Sequence, residues 1–168
     1  MTAKPQSVGS TEVSLDFVSL FGSYANSWSS SYTSHTISAS DLGNSEVKAT
    51  ISFSRANKQA AGNSIDDRPV VAANGGTEYV EILLEENTFE TVQFDLKQWT
   101  SKTFNDIHIE YNNGTTWVKC SDSITTPGLL ESNSNLPAGT SNHIRLVVNT
   151  TAAKNTQLGL TGINFKMN

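Results

Sequence analysis

Three aromatic residues recur four apart in the stretch FGSYANSWSSSYTSHT: Tyr24, Trp28 and Tyr32, set among serines and an asparagine. Rings in such company can pack against the C–H faces of sugars, while neighbouring hydroxyls and amides serve the sugar hydroxyls. A spacing of four also suits a helix, but five serines between Ser27 and Ser34 and no aliphatic residue among them oppose one. Residues 21–36 are therefore expected to form a ring-bearing loop at the edge of the fold. Trp28 heads the ligand-contact candidates, with Tyr24 and Tyr32 behind it. Trp99, where alternation breaks in LKQWTSKTFND, completes the set. The structural alternative is that Trp28 and Tyr32 fold back to plug the core and Trp99 caps it, because large aromatic side chains are on average highly buried.

Other chemistry is sparsely represented. Asp66 and Asp67 are candidate ligands for a structural calcium ion, since hard cations take several oxygens, but no Asp-x-Asp-x-Asp ladder surrounds them. Arg68 precedes Pro69, which favours an extended lead-in to a strand with Arg68 pairing one of the aspartates. Cys120 is the only cysteine, so it forms no internal disulfide and no zinc site. It reads as a buried side chain rather than a nucleophile served by His108 or His143. No Gly-x-Ser-x-Gly elbow, His-Glu-x-x-His pair or phosphate-cradling glycine loop occurs. Glu78, Glu81 and Glu110 are the acids available for glycoside cleavage, and each lies on the polar side of an alternating run, where solvated acids are normal. The expectation is a non-enzyme that needs no cofactor.

The totals agree with that expectation. Ser, Thr and Asn number 22, 19 and 16 of 168 residues, and only 16% of the chain is charged, against about 25% in typical soluble domains. Such a surface suits a secreted, extracellular or cell-surface domain. The net charge is −5 and the 11 Lys and Arg are scattered, which argues against nucleic acid as a direct partner. No run approaches the roughly 18 apolar residues that cross a bilayer, so no membrane insertion is expected. Residues 1–11 read as a polar linker remnant and 12–168 as a single module.

The elements that must position these residues alternate with period two. Val13, Leu15 and Phe17 share a face, as do Val47, Ala49, Ile51 and Phe53; then Val80, Ile82 and Leu84; Val92, Phe94 and Leu96; Ile107, Ile109 and Tyr111; and Ile144, Leu146 and Val148. With TTWVKC and the closing TQLGLTGINFKM this makes about eight strands, the pattern of an all-β, antiparallel, jelly-roll-like β-sandwich. Asn112-Asn113-Gly114 tolerates positive φ and predicts a tight turn. Trp117, just after it, is expected to face Tyr111 or Ile109 across the strands as a structural staple.

The segments FSRANKQ, DRPVVAANGGTEYVEI, FDLKQWTSKTFNDIHIEYNNGTTWVKCS and IRLVVNTT…NTQLGLTGINF resemble a β-sandwich module appended to secreted bacterial enzymes, over nearly all of residues 12–168. The resemblance implies a non-catalytic accessory domain of the carbohydrate-binding or surface-attachment type, within a larger multidomain chain. Its partner would be a glycan or cell-surface polymer. A structural or adhesive protein–protein module of a surface or fibre protein is the alternative.

Overall fold

The computed structural model describes residues 10–18, 28, 31–58, 68–153 and 156–168. Eleven strands form in chain order: β1 (Thr11–Asp16), β2 (Thr33–Ser38), β3 (Ala49–Lys58), β4 (Pro69–Ala72), β5 (Gly76–Leu84), β6 (Phe89–Gln98), β7 (Asp106–Asn112), β8 (Trp117–Lys119), β9 (Leu129–Glu131), β10 (His143–Thr150) and β11 (Gln157–Met167). All pair antiparallel. The three beyond the expected eight are β2, β4 and β9, segments of three to six residues too short to show several alternations. β2 takes the last residues of the stretch expected to be loop, because Ile37 is buried opposite Ile51 of β3.

One hydrogen-bonded path, β8-β7-β10-β5-β3-β4-β11-β6-β9, rolls into two layers, with β2 added on β3 and β1 on β11. The first layer is β2-β3-β5-β10-β7-β8 and the second is β1-β11-β6-β9. The short β4 joins them by pairing with the far end of β3 and the start of β11. The alternating apolar rows read from the sequence fill the space between the layers. Phe17, Phe53, Phe89 and Phe94 are among the largest side chains with almost no exposure. Full burial of such a side chain contributes about 1.5–3 kcal/mol, so the rows fix which side of every strand faces out.

β11 carries one irregularity that matters for the surface. Leu158 and Leu160 point inward, and so do Ile163, Phe165 and Met167, so the phase shifts by one residue between them. The register with β6 slips between Leu160 and Gly162, leaving Thr161 as the extra residue of a β-bulge.

The turn at 112–116 forms as expected. Gly114 has φ 99°, and the Asn113 carboxamide oxygen accepts from the amides of Thr115 and Thr116 at 3.0 and 2.9 Å. Its register overturns the reading of Trp117. The residue opposite Trp117 is Asn112, so the indole stands on the outward face of β8 rather than among Tyr111 and Ile109. It is half-buried against Arg145 and His143 instead.

Candidate functional site

The outward face of the second layer is built in rows that cross the strands. The central row pairs Ser14 of β1 with Asn164 of β11, Asn164 with Gln93 of β6, and Gln93 with Glu131 of β9. Its side chains form a one-directional hydrogen-bond relay. Ser14 Oγ donates to Asn164 Oδ1 at 2.6 Å, Asn164 Nδ2 to Gln93 Oε1 at 3.3 Å, and Gln93 Nε2 to Glu131 Oε1 at 2.7 Å. Each amide spends one N–H on the row and keeps a second, together with carbonyl lone pairs. Four strands at about 4.8 Å spacing give the row a length of roughly 14 Å between its outer strands.

A row on either side completes the floor. Glu12, Lys166 and Thr91 lie in register on one side, with Lys166 Nζ 3.2 Å from Glu12 Oε1. Asp16, Gly162 and Asp95 lie on the other. A groove of about 610 Å³ follows the first two rows, and a hollow of about 380 Å³ lies over Asp16, Thr161, Gly162 and Asp95. The two share Ser14 and Asn164, so they form one continuous depression. Gly162 puts no side chain between Asp16 and Asp95, which is where the floor dips.

Two of the expected ring residues lie on this same face, beyond the hollow. Arg68 is almost wholly buried and donates from Nη1 to Thr161 Oγ1 at 2.8 Å, with its guanidinium 6.0 Å from the Trp99 ring centre. A Cβ on Gly159 would come within 2.7 Å of Arg68 Cδ and 3.2 Å of the Trp99 ring, so the glycine lets both lie flat on β11. Two residues earlier, Gln157 donates to the Tyr32 hydroxyl, and the Arg55 guanidinium lies 5.1 Å from the Tyr32 ring centre. Burial pushes the Tyr32 phenol above its ordinary pKa, outweighing the opposite pull of Gln157 and Arg55. A strip from Tyr32 through Trp99 to the groove thus runs along β11.

Trp28 sits elsewhere. Its ring stacks on His35 at 3.6 Å, nearly parallel, and meets Phe53 edge-on at 5.5 Å, bracing the core at the β2–β3 pair. Burial lowers the His35 pKa, against a hydrogen bond to the Ala56 backbone that raises it. Tyr24, Asp66 and Asp67 lie outside the described residues, and so does the expected pairing of Arg68 with an aspartate. Among the described residues no three His, Cys, Asp or Glu side chains converge in a metal-ligand arrangement.

The catalytic candidates are each engaged by neighbouring side chains. Glu81 meets His143 Nε2 at 2.9 Å, Glu110 binds both His108 and Arg145, and Glu78 accepts from Ser54. Cys120 is fully buried, and burial, aided by the Glu110 charge, pushes its thiol up to about 12. Both candidate histidines are turned to carboxylates.

No protein-family model and no curated protein matches this chain. Among solved structures it is similar to a GH29 fucosidase of Ruminococcus gnavus in complex with fucose, at 19% identity and a TM-score of 0.49, covering 70% of this chain and 25% of the fucosidase. It is also similar to a carbohydrate binding module of family 29, at 13% identity and 0.43, covering 95% of this chain and 90% of that one. A third is the low-affinity xylan binding module CBM86 from Roseburia intestinalis, at 12% identity and 0.43, covering 81% and 96%. The chain spans about a quarter of the fucosidase's length. Likeness of this degree says nothing about which molecule this chain binds.

Ser14, Gln93, Glu131 and Asn164 carry no motif. Alternation marks Ser14 and Gln93 as outward-facing and gives no sign of Glu131, whose strand is too short to alternate, and the row exists only because β1, β11, β6 and β9 become neighbours although they are far apart in sequence.

Proposed function

We propose that the protein is a non-catalytic, extracellular carbohydrate-binding module that holds an attached enzyme near its polymer by raising effective concentration. The observation that carries the reading is the hydrogen-bonded row Ser14–Asn164–Gln93–Glu131 on the floor of a long, shallow groove. Sugar hydroxyls both donate and accept, and a line of amides already fixed in orientation offers them both roles without first having to be ordered. Trp99 and Tyr32 extend the groove with ring surface; Trp28, set apart against His35 and Phe53, and Tyr24 are carried as further candidate ring contacts. Among the described residues, the groove and hollow are lined by Glu12, Asp16, Asp95 and Glu131 against Lys166. The ligand class is therefore a neutral or amine-bearing glycan rather than a polyuronate.

The adhesive alternative calls for a sizeable apolar patch. Among the described residues the exposed large hydrophobics are Leu83 and Leu129, one on each layer.

A glycan array followed by titration calorimetry tests the proposal with the double variant Asn164→Ala/Gln93→Ala. Each amide contributes about 0.5–1.5 kcal/mol net, so affinity should fall about tenfold or more while the melting temperature stays near the parent's. Native-like melting with unchanged affinity would remove the groove from the reading. A Trp28→Ala protein that folds and binds fully would remove Trp28.

A further inference from the structure

The outward face of the first layer carries a connected set of side chains that sheet packing does not require. Arg145 of β10 lies between two rings, its guanidinium carbon 4.3 Å from the centre of Tyr79 on β5 and 4.1 Å from that of Trp117 on β8. Glu110 of β7 holds it in place, accepting from Nε at 2.7 Å and lying 2.6 Å from Nη2. His108 braces Glu110 through Nε2 at 3.0 Å and reaches Asp106 through Nδ1 at 2.9 Å. His143 meets Glu81 at 2.9 Å and packs against Trp117, ring centres 4.7 Å apart.

The chain has 3 histidines, 3 tryptophans and 16% charged residues, with Ser, Thr and Asn together far outnumbering the charged types. Two of those histidines, one tryptophan, an arginine and three acids nonetheless meet on this one face. Stability does not explain the concentration, since partly buried ion pairs roughly cancel their own desolvation cost. What the network does achieve is to fix two partly exposed rings at a set spacing across four paired strands. The charges are already paired with one another, so a strongly charged ligand would have to displace an existing partner, whereas a neutral one would not.

We propose that this face is a second carbohydrate-contacting site, which takes a neutral sugar ring against Trp117 and Tyr79 with Arg145, Glu81 and His143 serving its hydroxyls. The inference rests on the carbohydrate-binding reading and adds to it. With the groove on one layer and this face on the other, one module holds two segments of polymer at once.

The test uses the neutral oligosaccharide that gives the strongest array signal, with xylohexaose, cellohexaose and mannohexaose in the panel. Protein labelled with 5-fluorotryptophan but otherwise unaltered is titrated, and its three fluorine resonances are assigned from single Trp→Phe variants. The Trp117 resonance should shift with saturation, and calorimetry should give two sites per chain. Trp117→Ala should abolish the second site or weaken it about tenfold or more, leaving the site lost in Asn164→Ala/Gln93→Ala intact. A Trp117 resonance that stays still while another shifts, or one site per chain that Trp117→Ala leaves unchanged, overturns the second site and spares the groove. No binding by the unaltered protein to any neutral glycan overturns the second site, and no binding to neutral or amine-bearing glycans alike sinks both. The fluorine measurement needs no variant at Trp117 to fold, because the labelled protein keeps its own sequence.

Discussion

Three arginines occur in the chain, and each lies over an aromatic ring: Arg55 over Tyr32, Arg68 over Trp99, and Arg145 between Tyr79 and Trp117. A guanidinium can stack on a ring and still donate at its edge, which a lysine cannot match. Two titrating residues, Glu110 beside Arg145 and His35 beneath Trp28, set an acid sensitivity. Burial alone would raise the Glu110 pKa, but the hydrogen bonds from His108 and Arg145 outweigh it and hold the carboxyl below its ordinary value. Burial lowers His35 likewise. In both cases the unfolded chain takes up a proton more readily than the fold does. Their contribution is therefore present above the unfolded values and lost as pH falls through the folded ones. The urea midpoint should decline below about 6.5 through His35 and again below about 4.5 through Glu110. Glu110→Gln should flatten the lower limb, and a midpoint constant from pH 7 to pH 3 would contradict the assignment.

At the scale of elements, β11 organises the candidate site. It pairs with β1, β4 and β6, and its outward positions run from the Tyr32 contact through Trp99 to the central row. Much of this was legible in its sequence. The step in apolar phase across Leu160-Thr161-Gly162-Ile163 is the mark of a bulge, and the outward identities of Asn164 and Lys166 follow from it. Gly159 was not legible as a packing residue, because the atoms it makes room for come from the residue after β6 and from the residue before β4. Gly159→Ala drives a methyl into Arg68 and Trp99, neither free to swing far, and should cost about 1–3 kcal/mol. Gly128→Ala, with nothing within 4 Å of the new methyl, is the matched control. Equal urea midpoints for the two variants would show that Arg68 yields more easily than its burial implies.

For the molecule as a whole, two layers with opposed outward faces give two surfaces of different character, one an acidic groove lined by hydrogen-bonding groups and the other a ring-bearing plane. With a net charge of −5 and four acids lining the groove, an anionic chain is repelled both at long range and on contact. A polyuronate should bind about tenfold or more weakly than a neutral glycan of similar length at low salt. Affinity gels should show that gap narrowing towards 1 M salt, where the screening length falls to about 3 Å. Tighter binding of the polyuronate at low salt would reverse the proposed ligand class.

Period-two alternation was enough by itself to determine an all-β chain and the inward rows of the longer strands, because burial on one face is a local property of each strand. It also located the turn before Trp117, since Asn-Asn-Gly chemistry acts within five residues. Tertiary structure alone decided which strands became neighbours. That choice set Trp117 beside Arg145 rather than in the core, Trp28 against His35 and Phe53, and Ser14, Asn164, Gln93 and Glu131 in one line. Cross-strand contacts depend on register and on layer order, and neither is encoded in any single segment.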